Sequence, residues 1–104
     1  MNMRKLAGLE PACVFDHFEK LCAIPHGSGN TKAISDYIKA WAQERKIPCT
    51  QDELNNLLLF ADGTAGYEDH PPVILQGHLD MVCEKDPECP LDLATQGLDI
   101  DHDE

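Results

Sequence analysis

Basic residues are scarce in this sequence. Eight Lys and Arg stand against nineteen Asp and Glu, a net charge of −11 over 104 residues. Phosphate backbones and anionic membrane surfaces repel so acidic a chain, which excludes nucleic-acid and membrane-surface partners. No apolar run approaches the roughly 20 residues that a bilayer-spanning helix needs. Residues 1–12 carry Arg4, Lys5 and Glu10 and lack the apolar core of a signal peptide, so the expected location is cytoplasmic. The five cysteines, at 13, 22, 49, 83 and 89, are odd in number and include no Cys-x-x-Cys pair. Reduced thiols in a cytosolic protein explain them best, with Cys13 and Cys22 acting as small hydrophobes on or near a helix face. Also missing are a Gly-x-Ser-x-Gly elbow, a phosphate-cradling Gly-Lys-Ser/Thr loop, internal repeats and low-complexity tracts. Serine-hydrolase and nucleotide-binding chemistry therefore lack their usual signatures. The length suffices for one small core and is too short for two domains.

What the chain does contain is helical spacing followed by strand spacing. Val14, Phe15, Phe18, Leu21 and Cys22 recur with helical period, and Asp16, His17, Glu19 and Lys20 take the other face. Pro25 ends that helix, because the residue before a proline is pushed out of helical geometry. His26-Gly27-Ser28-Gly29-Asn30 reads as a loop, with Ser28 or Asn30 placed to cap a second helix. The second helix carries Ala33, Ile34, Tyr37, Ile38, Trp41 and Ala42 on one side, and closes at Arg45, Lys46 and Pro48. Residues 49–52 predict a short strand and Asn55-Asn56 a turn. Leu57-Leu58-Leu59-Phe60 predicts a buried strand, and residues 73–76 a third one after a long loop. Beyond Lys85 the chain is polar and proline-bearing. The expected class is a layered α/β domain, order ααβββ, with apolar strands buried on both faces.

The third strand leads into Gly77-His78-Leu79-Asp80-Met81-Val82-Cys83-Glu84-Lys85. In extended backbone, residues two apart point to the same side, so His78 and Asp80 are delivered to one small volume at a strand's carboxyl end. Open α/β sheets place their sites there. A bare His-x-Asp leaves both a metal or catalytic site and an ordinary surface histidine open. Other candidates are weaker. His26 reads as a loop histidine before a helix, His17 lies on a polar helix face and His70 in a proline-bound loop. Glu84 and Lys85 read as a solvated pair, and the Cys83–Cys89 spacing is unusual for a thiolate zinc site. Asp99, Asp101 and Asp103 alternate like the start of a calcium loop, but Glu104 stands where that loop needs glycine. Residues 84–104 hold much of the acidity and read as a solvated surface.

Residues 77–85 resemble the metal-site segment of the aminoacyl-histidine dipeptidases, also called cytosol non-specific dipeptidases, which belong to the co-catalytic zinc peptidases. Residues 14–21, Ile24-Pro25-His26-Gly27-Ser28-Gly29-Asn30 and Gln51-Asp52-Glu53-Leu54-Asn55-Asn56 are similar to the same family, in order along nearly the whole chain. The resemblance implies that residues 1–104 are the amino-terminal, incomplete portion of a layered metallopeptidase catalytic domain, with a mixed sheet flanked by helices. It implies that His78 ligates zinc and that Asp80 acts in catalysis by accepting the other ring N–H of His78, fixing its tautomer and orientation. It further implies two zinc ions in the intact enzyme, with other divalent metals as alternatives. A bridging aspartate, a general-base glutamate, further carboxylates and a distant histidine lie later in such enzymes, and residues 97–104 correspond to a hairpin ahead of the bridging aspartate. The implied activity is hydrolysis of Xaa-His and other small dipeptides, and the implied assembly of the intact enzyme is compatible with a homodimer. The alternatives are an aminoacylase or tripeptidase relative, and a non-catalytic acidic α/β remnant or interaction module. Residues 1–104 alone are expected to be inactive.

Overall fold

A computed structural model describes residues 5–102 in the order α1 (Ala12–Cys22), α2 (Lys32–Glu44), β1 (Cys49–Gln51) and β2 (Leu57–Leu59). The described residues form two compact units. One combines the chain up to Ile34 with the chain from Asp80 onward, and the other is Ser35–Leu79. α2 begins in the first and continues in the second.

In the first unit, α1 opens after Pro11, and the Glu10 carboxylate accepts the Ala12 N–H at 3.2 Å. Asp16 and Lys20, one turn apart, pair at 3.1 Å on the solvent face. The helix stops before Pro25, as its sequence requires. Cys22 is buried, and burial, assisted by the nearby Glu19 charge, raises its thiol pKa. Cys13, Val14 and Phe18 are instead exposed, so the described residues cover only part of the apolar stripe. The Glu19 carboxylate also accepts the Leu6 N–H at 2.8 Å, tying the buried Leu6 to this helix. The returning chain closes the unit: Leu98 N–H donates to Cys22 O at 2.8 Å and the Asn30 side-chain amide to Ala94 O at 3.1 Å.

The polar stretch after Lys85 is irregular yet organised by side chains. The Lys85 ammonium donates to Cys89 O and Leu91 O at 3.1 and 2.5 Å and so holds an exposed loop. Asp92 accepts from Ala94 N–H and the Thr95 hydroxyl, and these bonds lower its pKa, the backbone one most. No strand forms at residues 97–102. The remainder of the expected hairpin, Asp103 and Glu104, lies outside the described residues.

In the second unit α2 ends as its basic cluster suggests. Lys46 takes a left-handed φ of 56°, Ile47 N–H reaches Ala42 O at 2.9 Å and Lys46 N–H reaches Gln43 O at 3.1 Å. That is a Schellman closure with lysine in the position usually given to glycine. Arg45 stacks over the Trp41 ring at 4.3 Å. β1 and β2 pair antiparallel, Cys49 opposite Leu59 and Gln51 opposite Leu57. The turn between them is built by Asp52, and Asn55 sits at φ 70°. Ser35, fully buried on α2, donates to Asn55 O and accepts from the Gln51 amide, both at 2.8 Å, which seats the helix on the hairpin.

Two expectations need correction. β2 is not a buried strand: Leu58 and Phe60 are 55% and 48% exposed. Residues 73–76 form no strand, and Val73, Ile74 and Leu75 are 83%, 84% and 95% exposed. The order among the described residues is therefore ααββ rather than ααβββ, with a two-stranded antiparallel sheet in place of a mixed one. A short apolar run becomes a strand only when another segment offers it backbone partners, and no described segment does so here.

Candidate functional site

The structure sets Asp80 and Met81 against a loop that the sequence assigned to helix capping. Residues 26–28 run parallel to the chain around Met81, forming a bridge between Gly27 and Met81. Met81 N–H donates to His26 O at 3.0 Å, and Ser28 N–H donates to Met81 O at 3.2 Å. Gly27 is buried against the Cys83 side chain, whose sulfur a Cβ at this position would displace. Gly29, at φ 78°, then turns the chain toward α2.

This lacing places the Ser28 hydroxyl against Asp80, where it donates to Oδ2 at 2.6 Å. Asp80 is half-buried, and His78, at the end of Ser35–Leu79, is exposed. Each has further interactions within the molecule. Ser28 and Asn30, read as candidate caps, have their side chains directed to Asp80 and Ala94 instead. Ser28 is the residue that sequence reasoning missed. The closely spaced Gly27 and Gly29 signalled a special backbone path, but nothing in the sequence pointed to a partner fifty-two residues away.

The remaining candidates settle into structural places. The His26 ring nitrogen Nδ1 lies 2.6 Å from Ile24 O, the geometry of a loop histidine bonded to its own backbone. His70 packs on Tyr67, ring centroids 4.9 Å apart, within the 61–72 loop. Catalytic zinc takes three protein ligands and keeps a position open. Among the described residues no three His, Cys, Asp or Glu side chains converge to hold a metal ion. That holds for Cys83 with Cys89 and for the Asp99–Asp101 stretch, and His78 with Asp80 does not by itself fit a zinc ion. No described helix is long and apolar enough to cross a membrane.

No family model matches the sequence. It is 41% identical over 83 residues to the cytosol non-specific dipeptidase of Escherichia coli (strain K12), a match covering 80% of this chain and 17% of the relative. The fold matches the crystal structure of aminoacylhistidine dipeptidase from Vibrio alginolyticus with a TM-score of 0.82 and 33% identity, covering 88% of this chain and 19% of that one. The chain thus spans less than a fifth of either protein's length. A match of this length takes in residues 22–83 wherever it is placed, the 26–28 loop and the His-x-Asp segment with them. Sequence and fold together support a fragment of the aminoacylhistidine, or cytosol non-specific, dipeptidase family.

Proposed function

We propose that residues 1–104 serve a longer cytoplasmic, metal-dependent dipeptidase as the amino-terminal part of its catalytic domain. The observation that supports this reading is the 41% identity to a dipeptidase across the stretch that holds His78 and Asp80. His78 supplies one imidazole donor to a zinc site, and the remaining ligands come from parts of the longer protein. Asp80 works through His78: a carboxylate two residues on along extended backbone accepts the second ring N–H, which selects the tautomer and raises the basicity of the ligating nitrogen. The exposure of His78 in these residues suits a side chain whose metal and co-ligands are contributed by other segments. The substrates are small dipeptides, Xaa-His among them, and the metal centre is dinuclear.

The test uses the protein expressed from the full reading frame that contains these residues. His78→Ala should abolish hydrolysis of an Xaa-His dipeptide and lower the zinc content. Asp80→Asn should keep the fold and cost on the order of 10–100-fold in zinc affinity or turnover, the usual effect of losing a group that orients a ligand. A His78→Ala protein with unchanged zinc content and rate would remove His78 from the site.

A further inference from the structure

We draw no further inference here: the strongest candidate, the solvent-exposed apolar run Val73-Ile74-Leu75 that follows the 61–72 loop in the second unit, is a surface patch, and nothing in the structure shows what covers it.

Discussion

Asp52 shows how one side chain builds the turn between β1 and β2. Its carboxylate accepts the Leu54 and Asn56 backbone N–H groups at 2.9 and 2.8 Å and the Asn56 side-chain amide at 2.9 Å. These donors favour the ionised form, so the carboxyl is held below its ordinary pKa, with the Asn56 side-chain bond contributing most. A folded-state pKa below the unfolded one stabilises the turn fully above the unfolded Asp value of about 3.9. That contribution fades as pH falls through the lower, folded value. In an NMR titration the Leu54 and Asn56 amide shifts should move together with a midpoint below the ordinary Asp range. The cross-strand contacts of β1 and β2 should weaken over the same acid interval. In Asp52→Asn the contacts should lose this acid dependence; an unchanged dependence would show that other carboxylates govern the turn.

At the scale of elements, the seat of α2 on the hairpin rests on Ser35, a buried hydroxyl that is both donor and acceptor. Ser35→Ala would leave Asn55 O and the Gln51 amide without this partner. Such a loss costs about 1–3 kcal/mol where the groups stay buried. The Gln51 amide also donates to Asp36 Oδ1 at 3.0 Å, which keeps the cost toward the lower end. Hydrogen exchange at Asp52 and Phe60, whose N–H groups bond to Asn56 O and Pro48 O, reads the local opening. Both amides should exchange roughly tenfold faster in Ser35→Ala, the equivalent of about 1.4 kcal/mol. Exchange at the wild-type rate would mean that the helix and hairpin are held together by other contacts.

The same elements show which parts of the fold the sequence carries. Both helices were legible, because a helix closes its hydrogen bonds within its own segment and its apolar period records where they run. The hairpin was legible too, from Asn55-Asn56 and the flanking short runs. Residues 73–76 were not, since composition reports that Val73, Ile74 and Leu75 suit a strand without naming a neighbour to pair with. The Ser28–Asp80 contact stayed hidden for a related reason. It depends on two loops meeting across the chain, and a serine before a helix looks like a cap whichever way its hydroxyl turns.

For the molecule as a whole, the balance between charge and apolar exposure sets the behaviour of residues 1–104 in isolation. The buried hydrophobic side chains among the described residues are Leu6, Cys22, Ile34 and Ala42. Val73, Ile74, Leu75 and Val82 are more than 70% exposed, and Leu54, Leu58, Tyr67 and Phe60 are also open to solvent. A chain of this size buries only about 60–70% of its surface even when its core is complete, so uncovered apolar residues of this number weigh heavily. The charge of −11 opposes close association of copies, but salt screens it within about 10 Å at 0.1 M, while apolar attraction persists. The isolated chain should therefore bind a hydrophobic dye, form oligomers that grow with salt, and melt over a broad range. With added zinc it should not hydrolyse dipeptides, because on the reading proposed above His78 supplies one of the three protein ligands that catalytic zinc takes. Light scattering during thermal unfolding decides the physical half of this expectation, and an Xaa-His hydrolysis assay decides the chemical half. A clean monomer with a sharp cooperative transition would show that residues 1–104 complete their own core. Robust zinc-dependent turnover would show that they complete their own site.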